Sequence, residues 1–393
     1  MNPTVDYGVI RPEEHAAYLE MLNWAFVRPT TTQPMPTFID RIGPENIRIL
    51  REAGRPVGGL GIIPMGQWFG GQRLAMGGIA AVAVAPDKRG RGVATQLMQA
   101  VVREMQAAGT PLSALYPATQ PVYRAVGYEL AGSRCLIRIP TGGIGLKQRL
   151  PELRMMTPAD IPAIQALYRE RARQSNGALD RFPPLWDRVF KPKGDALPGF
   201  LAERDGRLEG YCVISREPKD GFRYNLALTD MTVTTPEAGR RLLTLFADHR
   251  SLGDDVEFYG GPVEPILMLL PERGFDVHNK WYWMLRIVDV PSALSGRGYP
   301  EGVETELHLS VRDDLIPENN GPFVLEVFGG RSRVKPGGEG RLKLDVRALA
   351  ALYSGFLSPA QLVGLGQLEA PEVDLKRAAV CFAGPAPAMG DMF

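Results

Sequence analysis

The chain is poor in the residues that build disulfide frameworks and metal sites. Its three cysteines, Cys135, Cys212 and Cys381, are odd in number, widely spaced and never in Cys-x-x-Cys. That excludes a disulfide scaffold and argues against structural zinc. The four histidines, His15, His249, His278 and His308, are scattered without a His-Glu-x-x-His pattern, so each reads as structural and no metal is expected. With so few imidazoles, acid–base chemistry has to draw on other groups. Neither charge sign is in excess: 45 basic against 44 acidic side chains leave a net charge of +1. Nucleic acid and anionic membrane, which select basic faces, are therefore not the expected partners. No segment approaches the ~18–20 apolar residues of a membrane span, and none resembles a signal peptide, so cytoplasm is the expected compartment. Two nucleotide-binding signatures are also missing, the Walker G-x-x-x-x-G-K-[ST] and the Rossmann glycine spacing.

What is present is an ordinary globular composition, 45% hydrophobic and 23% charged, in 393 residues. That length suggests two to four domains, at ~100–200 residues each. Residues 8–27 read as a strand and then a helix, with Pro12, Glu13 and Glu14 suited to a first turn. Short β-like runs follow, joined by turns at Ala53–Pro56 and Gly70–Gln72 as in an antiparallel meander. Val93, Leu97, Val101 and Met105, with Val102, make one helical face that ends at Gly109. A strand "PLSALYP", a short helix "QPVYRAVG" and a strand "YELAGSRCLIRIP" come next. The Gly/Pro-rich "PTGGIGLKQRLPE" reads as a linker.

Beyond it the same order recurs in worn form. "LTDMTVTTPEAGRRLLTLFADH" echoes "GIAAVAVAPDKRGRGVATQLMQAV", with Pro236 where Pro86 stood, 150 residues earlier; Gly274 matches Gly127 at a separation of 147. An ungapped register sets Leu242 and Thr244 against Gly92 and Ala94, and Leu270 near the place of Tyr123. Leucine where backbone must meet phosphate argues against a second cofactor site, so one cofactor per chain is expected. From about Asp289 the composition shifts again. Alternating strands lead into two helices broken at Gly355 and Pro359, and a tail "PAPAMGDMF".

The junction "VAVAPDKRGRGVATQLM" asks for an explanation that packing does not give. The first turn of a helix leaves several N–H groups without intrahelical partners, and its dipole favours an anion there. Gly90 and Gly92 would let a phosphate approach the backbone, and Arg89 and Arg91 would add paired cationic donors. A pyrophosphate is the natural occupant. A glycine turn with two solvated arginines is the plainer reading of "RGRG" taken alone.

The context is more specific. Arg89-Gly90-Arg91-Gly92-Val93-Ala94 resembles the Arg/Gln-x-x-Gly-x-Gly/Ala motif of the GNAT N-acetyltransferases, and "PVYRAVGYE" resembles their Tyr-x-x-x-Gly-Tyr/Phe signature. With "YPATQPVYRAVGYELAG" and the closing "GPAPAMGDMF", the whole chain is similar to the Eis family. The resemblance implies an α/β (α+β) architecture of mixed sheets flanked by helices. Residues 1–140 would be a GNAT domain, 150–288 a degenerate GNAT-like domain, and 289–393 a sterol-carrier-protein-like α+β domain. It implies acetyl-CoA as co-substrate and, by analogy with family members, a hexamer. Val82, Ala83 and Val84 would bind the pantetheine arm. Arg89, Gly90, Arg91, Gly92, Val93, Ala94 and Thr95 would hold the pyrophosphate, with Ala118 and Thr119 lining the same site.

Acetyl transfer needs a proton removed from the amine and one given to the thiolate. The resemblance assigns the second role to Tyr123 and the first to the terminal carboxylate of Phe393. A phenol, with an ordinary pKa near ~10, suits the donor. A terminal carboxylate near ~3.5 facing an amine near ~10.4 is mismatched by roughly 9 kcal/mol, so it needs desolvation, a bridging water or a partly neutral amine. Tyr128 and Tyr116 read as core. Asp391 suits either a cationic substrate or solvent. "NWAFVRPTTTQPM", the expected substrate loop, has no carboxylate, which separates this chain from the acidic pockets of aminoglycoside modifiers. A lipid-binding scaffold and a protein lysine acetyltransferase are the competing functions.

Overall fold

A computed structural model describes residues 5–26, 37–192 and 194–393. Most of the expected substrate loop, residues 27–35, lies outside them. The chain forms two compact units. One contains residues 1–131, 283–384 and Phe393; the other contains 132–282 and 385–392.

In the first unit, β1 (Val5–Val9) and α1 (His15–Ala25) precede α2 (Phe38–Ile42) and the meander β2 (Ile47–Glu52), β3 (Arg55–Phe69) and β4 (Gln72–Val84). The meander turns use left-handed backbone at Ala53 and Gly54, then at Gly70 and Gly71. Helix α3 (Val93–Ala107) crosses to β5 (Leu112–Leu115), which pairs parallel with β4. The apolar face read from the sequence is the buried one: Val93, Leu97, Val101, Val102 and Met105 all lie in the core under the sheet. At ~25 cal/mol per Å² of apolar area, such a face is the main reason this amphipathic segment is a helix here. Gly109, at φ +70, ends it, and the Thr110 N–H bonds the Met105 carbonyl at 2.9 Å. The short α4 (Gln120–Arg124) leads into β6 (Glu129–Pro140).

The second unit begins within β6, whose residues Cys135–Pro140 pair with a later strand of that unit. It continues through β7 (Glu152–Met155), α5 (Ile161–Ala172), β8 (Leu179–Asp180), α6 (Pro183–Phe190), β9 (Gly199–Arg204), β10 (Arg207–Pro218) and β11 (Tyr224–Val233). Helix α7 (Pro236–Ala247) crosses to β12 (Gly253–Gly260), parallel to β11, and β12 pairs antiparallel with β6. The Gly/Pro-rich linker is partly core, since Ile144 is fully buried there.

Strand β13 (Asp276–Ile287) then returns to the first unit, where Met284–Ile287 pairs with Leu112–Leu115. After α8 (Val290–Gly296), a separate sheet forms from β14 (Thr305–Arg312), β15 (Gly321–Phe328), β16 (Arg331–Pro336), β17 (Leu342–Asp345) and β18 (Leu368–Glu369). Helix α9 (Val346–Ser354) ends at left-handed Gly355, α10 (Pro359–Gly364) starts behind a Ser358 cap, and α11 (Glu372–Cys381) follows. The two helices expected around Gly355 and Pro359 are thus present, and the mixed α/β architecture is the expected one. Among the described residues no helix is long and apolar enough to cross a membrane.

Candidate active site

The site lies within the first unit, where β4 and β5 part. The two strands pair from Met76↔Leu112 to Ile79↔Leu115 and no further. Ala80, Ala83 and Val84 keep their partners on β3, and among the described residues no strand pairs with 80–84 on the other edge. A β-bulge turns the edge at this point. Gly61 pairs with Ala80 and Gly59 with Ala83, so Ala81 and Val82 together oppose Leu60. Ala81 takes φ +53, a conformation that costs a non-glycine residue about 1 kcal/mol or more. The buried Tyr18 steadies it, donating its hydroxyl to the Ala81 carbonyl at 2.8 Å. Sequence reasoning named Val82, Ala83 and Val84 but missed the bulge and its tyrosine.

The loop from Ala85 to Gly92 follows directly. Gly90 and Gly92 adopt φ +74 and +78, and a Cβ on either would meet nothing within 4 Å. Their glycines are therefore required by left-handed backbone, and the space beside them is open. Gly92 is the N-cap of α3 and offers no capping side chain, so among the described residues the first-turn amides of Val93, Ala94 and Thr95 lack a side-chain acceptor. Arg89 and Arg91 are exposed, and among the described residues neither has a carboxylate partner. The Arg89 guanidinium donates to the Trp24 carbonyl at 3.3 Å. Lys88, beside them, is engaged by Glu52. Uncapped amides, open space and guanidinium groups without a carboxylate partner suit a diphosphate.

Tyr123 sits on α4, packed edge-on against Tyr128 and almost fully buried among Ile79, Leu97, Leu115 and Val126. Burial pushes its phenol above the ordinary value, which keeps it protonated at neutral pH. Tyr128 is core, as expected, and shares a 2.7 Å hydrogen bond with Ser113. Gly127 between them has φ +87, and the buried Arg286 guanidinium packs where a Cβ would stand. Ala118 and Thr119 are exposed in the loop after β5.

Phe393 belongs to this same unit. Its ring lies 6.0 Å from that of Tyr116, the residue following β5. A Cβ on Gly78 would come within 2.8 Å of it. Gly78 has ordinary φ, so its glycine makes room rather than a turn. Side chains alternate along a strand. Ile79 and Leu115 point to the α3 side with Tyr123, whereas Gly78 and Tyr116 point to the other side with Phe393. A protonated phenol and the Phe393 ring thus flank the parting strands from opposite faces. Gly78 and Tyr116 were not assigned to the site from the sequence, and only the double glycine Gly77-Gly78 hinted at a close approach.

Asp391 is largely buried rather than solvated. It accepts from the Arg181 guanidinium at 3.0 Å in the second unit. The worn repeat also needs correction. Helices α3 and α7 start 143 residues apart (236 − 93), so the counterpart of Gly92 is Thr235, and Leu242 and Thr244 lie inside the helix, fully buried. Pro86 opens a 3₁₀ turn while Pro236 opens the helix, so the two prolines are not equivalent. The offset of 147 does hold from β6 to β13 (276 − 129). Among the described residues no three His, Cys, Asp or Glu side chains converge as metal ligands.

The pattern of one acetyltransferase (GNAT) domain family matches residues 6–131, and another matches 177–287. A sterol carrier protein domain matches residues 290–390. The chain is 26% identical to an uncharacterized N-acetyltransferase of Streptomyces griseus, covering 93% of this chain and 94% of that one. It is 27% identical to N-acetyltransferase Eis of Mycobacterium tuberculosis, covering 80% and 79%. Among solved structures, a GCN5-related N-acetyltransferase from Anabaena variabilis is 38% identical with a TM-score of 0.94, covering 99% of this chain and 100% of that one. Eis1 from Mycobacterium abscessus, at 22% identity, TM-score 0.80 and 99% and 100% coverage, shares the fold. The chain belongs to the GCN5-related N-acetyltransferases, as its loop and tyrosine motifs led one to expect, with two acetyltransferase domains and a sterol carrier protein domain in the arrangement that resembles Eis.

Proposed function

We propose that this enzyme uses acetyl-CoA to acetylate a primary amine by direct transfer, with Tyr123 as proton donor and the Phe393 carboxylate as proton acceptor. The observation that carries the reading is the parting of β4 and β5, with an uncapped helix at one end and Tyr123 and the Phe393 ring on opposite faces. Acetyl-CoA, when bound, supplies an acetyl carbon for the amine nitrogen to attack and a thiolate that leaves. The amides of Val93, Ala94 and Thr95, approached past Gly90 and Gly92 and flanked by Arg89 and Arg91, hold the diphosphate. The free edge at Val82, Ala83 and Val84 orients the arm, with Ala118 and Thr119 across from it. Tyr123 holds a proton at its phenolic oxygen for the leaving sulfur. The terminal carboxylate takes the proton that the amine loses.

The substrate class we favour is a small amine, either a polyamine or an aminoglycoside-like compound, with lysine side chains as the rival. A cytoplasmic homo-oligomer, hexameric by resemblance, with one coenzyme per chain belongs to the same reading. The test is thiol release from acetyl-CoA against aminoglycosides, polyamines and lysine peptides. Tyr123→Phe should lower kcat by ~10²–10⁴-fold, the usual contribution of a positioned acid, with acetyl-CoA affinity nearly unchanged. One residue added after Phe393 should do likewise, and full activity in that variant would remove the terminus from the mechanism. Absence of thiol release with every amine would favour a lipid carrier, which the sterol carrier protein match keeps as the second reading.

A further inference from the structure

The last residues before the chain end are held far more firmly than a tail requires. In the second unit, the Ala388 N–H donates to the Asn176 carbonyl at 2.9 Å and the Met389 N–H to the Ser133 carbonyl at 3.2 Å. Met389 is fully buried. Three arginines then take three successive residues. Arg134 donates to the Gly390 carbonyl at 2.8 Å, Arg181 to the Asp391 carboxylate at 3.0 Å, and Arg188 to the Met392 carbonyl at 2.7 Å.

Arg181 is the centre of this arrangement. Its side chain is only 5% exposed and bridges two carboxylates. One is Asp230 on β11, met by both terminal nitrogens at 2.6 and 3.0 Å. The other is Asp391, met by Nε. The guanidinium lies 3.8 Å from the ring centre of Tyr168 and 4.7 Å from that of Trp186. Tyr211 donates to Asp230 at 2.6 Å and Tyr168 to Asp391 at 3.3 Å. A buried cation fixed on a strand carboxylate and two aromatic rings is a rigid mount, since breaking one partner would leave an uncompensated buried charge. A tail residue attached to it loses its freedom, and Phe393 follows only two peptide bonds later. Each such step spans ~3.8 Å, so the terminal carboxylate is confined to a short reach.

We infer that Arg181, acting through Asp391, is a positioning residue that limits the reach of the terminal carboxylate two residues further on. This inference rests on the proposed role of that carboxylate. Arg134 and Arg188 act in the same sense on the neighbouring carbonyls, Arg188 more weakly because it is exposed.

The test compares kcat, the KM for acetyl-CoA and thermal stability in full-length Asp391→Ala, Asp391→Asn and a chain lacking Phe393. The double variant, Asp391→Ala without Phe393, is measured alongside them. Asp391 is chosen because Arg181→Met strands two buried carboxylates and threatens folding. The expected result is a ~10-fold or larger loss of kcat in Asp391→Ala, an ångström-scale misplacement costing up to ~100-fold, with the acetyl-CoA KM unchanged. Asp391→Asn, which keeps an acceptor, should recover part of the loss. Removing Phe393 should abolish the effect of Asp391→Ala, because the carboxylate then ends on Met392, one residue short of the position the clamp governs. If removal of Phe393 silences the enzyme but Asp391→Ala keeps full kcat, the clamp is refuted and the base survives. If the chain lacking Phe393 stays fully active, the base reading itself fails. A loss that persists equally without Phe393 would make Asp391 merely structural and overturn the inference.

Discussion

The two acetyltransferase-type domains build the same crossover, strand to helix to parallel strand, and finish the turn between strand and helix differently. In the first, eight residues from Ala85 to Gly92 separate β4 from α3, and the helix opens on a glycine with no side chain to cap it. In the second, Thr234 and Thr235 alone separate β11 from α7. There the Thr235 hydroxyl accepts from the Ala238 N–H at 3.2 Å and donates to Glu209 at 2.8 Å. The second helix thus satisfies its own first turn, while the first leaves it open. A threonine cap is worth ~1 kcal/mol to a helix. Its absence at Gly92 is a local cost that makes sense when an anion completes the turn. On the proposed reading, the comparison teaches that a diphosphate site depends on an unfinished helix end with a loop long enough to surround the ligand.

Three experiments press on that difference. The largest effect is expected from Gly92→Thr, which gives the first junction the cap of the second. The loss of amide contacts to phosphate, at ~1.5–3 kcal/mol for a charged hydrogen bond, predicts a ~10–100-fold weaker acetyl-CoA affinity by calorimetric titration. Because φ +78 also strains threonine, the melting temperature should fall, so affinity is measured well below it. Unchanged affinity would break the comparison. Next comes Gly78→Ala, whose methyl would meet the Met65 methyl group and the Phe393 ring, both flexible ends able to shift. It should lower kcat on the order of 10-fold and leave acetyl-CoA affinity alone, an effect with no counterpart in the second domain. The smallest is Thr235→Ala, which should cost ~1 kcal/mol of stability in denaturant unfolding and nothing in affinity. A drop in affinity there would mean that the second junction also binds coenzyme.

The pH dependence sharpens the same contrast at the next element. Leu270 stands near the counterpart of Tyr123, at the end of the 3₁₀ turn Pro265–Leu269 that precedes β13. As the proposed donor, Tyr123 must be protonated, and burial raises its pKa. Its activity is therefore retained as pH rises and is lost only above the ordinary phenol value of ~10. A kcat profile with a basic limb near pH 8 would assign the donor to another group.

Much of the candidate site was legible because it is local. The strand, the Arg89–Gly92 loop, the buried face of α3 and the Tyr123 turn lie within about forty residues, and hydrophobic period and glycine placement report such features directly. What escaped is long-range. Tyr18 steadies Ala81 from 63 residues away, and nothing in "IAAVAV" announces a bulge. Gly78 receives a ring from the far end of the chain. The return of Met284–Ile287 to β5 reverses the order in which a reader expects strands to be used. The worn repeat misled in register for a simple reason: the second junction has lost loop residues, and an ungapped offset cannot carry a deletion. Asp391 was open to two readings because its partner, Arg181, is invisible without the fold.

The most direct measurement is a crystal structure of the enzyme with coenzyme A. The diphosphate should lie on the Val93, Ala94 and Thr95 amides, with the sulfur beside the Tyr123 hydroxyl. Coenzyme bound at the Thr235 end of α7, or with its diphosphate away from the first turn of α3, would contradict the account.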